Sequence, residues 1–140
     1  MLDKRIMCLD LGLARIGVAQ SDLLGITAQG VTVIQVKDFE TNLAEIKKLV
    51  KENNVGKIIV GYPLNLDGSE GNKARAIREQ FEKLKENLDC EMELWDERFS
   101  TKQAERILEE GNVHWKKKKQ VIDKMAAQVI LQGYLQSHSL

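Results

Sequence analysis

The chain has 140 residues, 43% of them hydrophobic, enough to bury a single core but too little for two lobes around a cleft. Lys plus Arg and Asp plus Glu number 21 each, so net charge does not announce a nucleic-acid binder and any grip on phosphate must come from local clustering. The distant pair Cys8 and Cys90 argues against a disulfide framework or zinc site, and the absence of a long apolar run argues against a membrane span and for a cytoplasmic protein.

Residues 5–10 and 16–20 are short apolar runs joined by Leu11, Gly12, Leu13, Ala14 and Arg15, a length that suits a hairpin with glycine at the bend. A third strand is predicted over 32–36, which completes an antiparallel meander. Phe39, Leu43, Ile46, Leu49 and Val50 recur at helical spacing over 39–50, and 57–61 follows as a short buried strand. Ala74, Ile77, Phe81, Leu84 and Leu88 mark one face of a second helix, and 91–95 form the strand that runs into Asp96 and Glu97. Ser100 and Gln103 give a capping-box signature for a helix to about Glu110, stopped by Gly111, and a last helix covers about 120–136. The order predicts one α/β domain over 1–140: a five-stranded mixed sheet with a three-strand antiparallel meander and flanking helices.

Three acids fall where such a fold presents ligand groups. Asp10 ends the first strand, Glu97 follows the fifth, and Asp123 opens the last helix. Carboxylates gathered from distant parts of a chain suggest a divalent-metal site. Each also has an ordinary role open to it: a turn aspartate, a solvated acid beside Arg98, an acid complementing a helix dipole. If the fifth strand continues through Asp96 and Glu97, their side chains point to opposite faces; Glu97 is then the site acid and Asp96 a supporting one. Asp123 lies on the helix side of Ala126, Ala127, Ile130 and Tyr134, so it is expected to face inward, beside a metal or a cation. Lys116, Lys117, Lys118 and Lys119 precede that helix, after His114 and Trp115. They are read as a phosphate-holding run, with an ordinary solvated loop as the alternative. Arg15, Lys73, Arg75, Arg78 and Arg98 are candidates to extend that surface. The 61–71 loop, with the only proline at Pro63, is long enough to be functional.

Taken together, Asp10-Leu-Gly-x-x-Arg15-Ile-Gly-Val-Ala, then Gly61-Tyr-Pro-Leu-Asn-x-Asp-Gly-Ser-Glu-Gly71, Asp96-Glu-Arg-Phe-Ser-Thr101 and Lys118-Lys-x-x-Ile-Asp123-Lys-x-Ala-Ala127 resemble the YqgF/RuvX family over nearly the whole chain. The resemblance implies a ribonuclease H-like fold, related to the Holliday junction resolvase RuvC. It also implies a nuclease that processes the 5' end of pre-16S ribosomal RNA, with branched DNA as the second substrate class. Asp10, Glu97 and Asp123 would be its catalytic, metal-binding set. Two Mg²⁺ or Mn²⁺ ions are expected, roughly 3.5–4 Å apart and bridged by Asp10. Arg15, Asn65, Ser69, Arg98 and Lys116, Lys117, Lys118 and Lys119 would hold substrate, and the loop from Pro63 would close over the strand. Ribosomal assembly components are possible partners, and the protein is expected to be a monomer or homodimer. One departure stands out: where the family usually has Gly-Thr-Lys-Arg, this chain has Gly12-Leu13-Ala14-Arg15, without the hydroxyl and the positive charge. Two rivals follow from the same residues. A phosphotransferase of the actin and sugar-kinase type also begins with Asp-x-Gly at a hairpin but needs two lobes. The other is a non-catalytic RNA- or ribosome-binding module.

Overall fold

A computed structural model describes residues 2–99 and 119–138, with the backbone alone at 99 and 119–124. The predicted helix at 100–110 and Lys116, Lys117 and Lys118 lie outside the described residues.

The first two apolar runs form β1 (Arg5–Leu11) and β2 (Arg15–Ser21), and β3 (Ala28–Gln35) completes the meander. α1 (Phe39–Glu52) begins at Asp38, whose carboxylate accepts the Thr41 N–H and Oγ1–H at 2.9 and 2.7 Å and so satisfies one free donor of the first turn. β4 (Val55–Tyr62), α2 (Asn72–Asn87) and β5 (Glu91–Asp96) follow, then a single 3₁₀ turn (Glu97–Phe99) and the last helix, α3 (Lys119–Ser137). The sheet order is β3-β2-β1-β4-β5. β1 pairs antiparallel with β2 and parallel with β4, and β5 is parallel to β4. The predicted five-stranded mixed sheet with its three-strand meander is the observed one.

Strand alternation sorts the core into two layers. Met7, Leu9, Leu11, Ile58 and Val60 face α1 and α2, meeting Leu43, Ile46, Ile77, Phe81 and Leu84. On the other side smaller groups, Cys8, Ala19 and Ala28, with Ile59, meet Ala127, Ile130, Leu131, Tyr134 and Leu135 of α3. Asp10 follows Ile6 and Cys8 in the same alternation and therefore stands on the α3 side of the sheet. No helix among the described residues is long and apolar enough to cross a membrane.

The largest boundary difference from the sequence expectation is at the start of β3. β3 begins at Ala28, not at residue 32, because the pairing with β2 skips Val31: Val18 faces Thr32 but Ala19 faces Gly30. That bulge breaks the two-residue alternation by which a strand is recognised. The early part is held by α3, where the buried Gln132 accepts the Ala28 N–H at 3.0 Å and donates to the Ile26 carbonyl at 2.9 Å.

Candidate active site

β1 and β4 run side by side and parallel, so their C-terminal ends open onto one edge, where α/β sheets place ligand groups. Asp10 sits at that end of β1, opposite Gly17 of β2. Gly12 closes the hairpin behind it, its N–H donating to the Arg15 carbonyl at 3.0 Å. A Cβ at Gly12 would lie 2.4 Å from that carbonyl oxygen, so the turn admits no larger residue.

Glu97 reaches the same place from β5. The strand stops at Asp96 and the 3₁₀ turn begins at Glu97, so the two neighbouring acids are separated by a change of backbone course and not only by strand alternation. Glu97 is packed against Gly61 of β4. A Cβ there would be 3.2 Å from Glu97 Oε2 and 2.8 Å from Ile130 Cδ1 of α3. Gly61 therefore provides the space in which the carboxylate fits between sheet and helix. Burial, and after it the negative charge of Asp10, raises the Glu97 carboxyl above its ordinary range; Lys73, in the first turn of α2, opposes the shift, and Asp96 adds to it. The thiol of Cys8, wholly buried beneath the two acids, is pushed up by burial and then by Asp10 and Glu97. Asp10, Glu97 and Cys8 thus share one electrostatic environment.

Asp123 lies on α3 one turn before the buried Ala127; its side chain is outside the described residues. Among the described residues no three His, Cys, Asp or Glu side chains gather as a metal-binding group. What they provide is the pair Asp10 and Glu97, mutually repelling, with Glu97 desolvated by burial. That donor chemistry fits a hard divalent cation, which takes carboxylate oxygens and would relieve the repulsion.

Asp96 and Arg98 flank Glu97 and bind each other. Arg98 donates from Nε to both Asp96 oxygens at 3.1 and 2.9 Å and from Nη2 to Oδ2 at 2.7 Å, which holds the Asp96 carboxyl below its ordinary range. Arg98 Nη1 also donates to the Leu66 carbonyl at 3.3 Å, tying β5 to the 61–71 loop. Within that loop the Asn65 N–H donates to the Ser69 carbonyl at 2.9 Å and Asn65 Nδ2 to Ser69 Oγ at 2.9 Å. Ser69 Oγ in turn donates to Asp67 at 2.6 Å. Asn65 and Ser69, expected to hold substrate, here hold the loop.

A second clamp has no counterpart in the sequence reading. Glu70 accepts from the Tyr62 hydroxyl at 2.6 Å and from Arg78 Nε and Nη2 at 2.7 and 3.2 Å. Hydrogen bonding, first from Arg78 and then from Tyr62, lowers its pKa to about 2. Arg78, a candidate for the phosphate surface, is engaged with Glu70 and Glu82 instead. The visible signal was the run of loop polar residues between Gly61 and Gly71; the partner across α2 was not recoverable from it.

A family model described as RuvX, Holliday junction resolvase, matches residues 4–137. The chain belongs to the RuvX family. A relative from Halothermothrix orenii, named "Putative pre-16S rRNA nuclease", is 53% identical over 131 residues, covering 94% of each chain. One of the same name from Myxococcus xanthus is 46% identical over 134 residues, covering 96% of this chain and 89% of its own. Among solved structures, T. thermophilus RuvC in complex with a Holliday junction substrate aligns with a TM-score of 0.65 at 10% identity, over 96% of this chain and 94% of that one. The yeast mitochondrial Holliday junction resolvase Ydc2 aligns at 0.58 and 12%, over 96% and 78%. Those two likenesses establish the fold, which is the ribonuclease H-like one expected for RuvX.

Proposed function

We propose that this RuvX chain is a divalent-metal-dependent endonuclease that hydrolyses phosphodiester bonds of structured RNA, with the 5' end of pre-16S ribosomal RNA as substrate, in the cytoplasm. The observation that carries the reading is the meeting of Asp10 and Glu97 at one sheet edge, with Glu97 held in a desolvated niche against Gly61. The names of the 46–53% identical relatives support the choice of RNA. Asp10, Glu97 and Asp123 would hold Mg²⁺ or Mn²⁺, two ions in the full reading, which when bound activates water and neutralises charge on the phosphate. Lys73 and Arg15 stand near the edge to meet the polynucleotide backbone, and Lys116, Lys117, Lys118 and Lys119 would extend that contact. Arg98, through Asp96 and Leu66, fixes the loop beside Glu97.

Cleavage of a pre-16S RNA fragment in Mg²⁺ or Mn²⁺, compared between wild type and Asp10→Asn at matched purity, tests this. Removing one anionic ligand while keeping its shape is expected to lower the rate by at least about a hundredfold, and equal rates would place the activity elsewhere. A second reading, cleavage of branched DNA, draws on the description of the matching family model. A four-way DNA junction in the same assay separates the two.

A further inference from the structure

Large apolar side chains stand exposed at four places among the described residues: Leu13 is 98% exposed, Leu66 96%, Leu24 64% and Ile26 59%. Leu24 and Ile26 border an apolar groove with Leu2, Ile6 and Leu135, away from the acids. Leu13 and Leu66 have no such surroundings. They occupy the tips of the two segments that leave β1 and β4, the adjacent strands whose ends carry Asp10 and the Gly61 niche of Glu97.

Neither tip is a loose end. Beside Leu13, the Gly12 N–H is bound to the Arg15 carbonyl and the Ala14 carbonyl accepts the Val36 N–H, both at 3.0 Å. Leu66 is bracketed by Gly68 N–H to Asn65 O at 2.8 Å, by the Asn65 and Ser69 pair, and by Arg98 on its own carbonyl. Folding therefore fixes the backbone that carries both side chains at the site's edge while gaining nothing from their burial. A leucine has no donor for a phosphate, and at position 13 it replaces the usual hydroxyl. Leucine is among the apolar side chains that nucleic-acid-binding proteins insert between base steps to unstack them.

We propose that Leu13 and Leu66 are base contacts that flank the phosphodiester at Asp10 and Glu97, and that the chain acts on a strand whose bases are unstacked there. The substrate class is then a single strand or a single-strand/duplex boundary, not continuous duplex. This rests on the nuclease reading above.

The test uses full-length protein carrying Asp10→Asn, so that binding is read without cleavage, and an RNA hairpin with a single-stranded flank labelled with 2-aminopurine beside the boundary. A DNA counterpart and a continuous RNA duplex run in parallel. Binding is expected to raise 2-aminopurine fluorescence on the flanked RNA or its DNA counterpart, with tighter binding than to duplex. Adding Leu13→Ser and Leu66→Ser should abolish most of the rise and weaken binding about tenfold, with the salt dependence unchanged because no phosphate contact is removed. Leu13→Met with Leu66→Met should keep the signal. Binding without a fluorescence rise, or a serine pair that binds and unstacks like its parent, overturns the base-contact proposal alone. Failure of the parent to bind any of the probes overturns the nuclease reading and the proposal with it.

Discussion

Gly61 shows how far the site depends on single atoms. The residue ends a short apolar strand and opens the 61–71 motif, and neither feature shows what packs against it. In the structure it is where sheet, Glu97 and Ile130 converge within van der Waals reach. Gly61→Ala is expected to destabilise the fold by about 1–3 kcal/mol, the usual cost of overpacking. The Ile130 methyl can swing aside, so the stability loss should fall at the low end. The carboxylate must give by a few tenths of an ångström as well, and cleavage should drop by at least about tenfold through displacement of Glu97. Urea unfolding beside single-turnover cleavage measures both, and full activity in a folded variant would show that Glu97 does not act from this niche. Asp10 and Glu97 were legible as candidates because acids after apolar strands are conspicuous. The niche was not, because a glycine's role is written in what approaches it from elsewhere in the chain.

At the scale of elements, two devices that sequence patterning could not reveal hold the fold, one at the site's edge and one at the opposite end of the sheet. The first is the Tyr62, Glu70 and Arg78 clamp, which seats the start of α2 against the end of β4. Glu70 is held at a pKa of about 2 against an ordinary 4.5, so its contribution to stability is fully present above the unfolded value and is lost as pH falls from about 4.5 towards 2. The difference in unfolding midpoint between wild type and Glu70→Gln should therefore be largest near pH 7 and shrink through that window. A difference independent of pH would mean that the charge on Glu70 contributes nothing. The second device is Gln132, which reaches from α3 to the backbone at both Ile26 and Ala28. Gln132→Leu should cost about 1–3 kcal/mol by leaving a buried N–H without its acceptor, with hydrogen exchange rising first at Ala28. Unchanged protection there would show that β2 alone holds the early part of β3. Short apolar runs and helical periodicity predicted the five strands and three α-helices of the described residues, though not the 3₁₀ turn at Glu97–Phe99. They also missed the start of β3, where a bulge and a side chain from a distant helix replace regular alternation.

The whole molecule is a three-layer arrangement in which one face is packed by large aliphatic groups and the other by small ones that bring α3 close to the sheet. That asymmetry sets the first turns of α3, where Asp123 lies, over the same side of the sheet as Asp10. Four motifs in order made the family legible, because their spacing samples β1, the 61–71 loop, the end of β5 and α3 together. Zero net charge gave no hint of function, and the structure explains why: Arg78 and Arg98 are bound to carboxylates, so total charge says little about the surface presented to a substrate. The central claim is that Asp10 and Glu97 form a cation-binding pair. Thermal unfolding in EDTA and in Mn²⁺ tests it directly, since a ligand at about a hundredfold over its Kd stabilises the folded state by about 2.7 kcal/mol. Wild type should gain several degrees in Mn²⁺, while Glu97→Gln should gain little and melt no lower than wild type in EDTA, having lost a repelling charge. The same Mn²⁺ shift in wild type and Glu97→Gln would contradict the assignment.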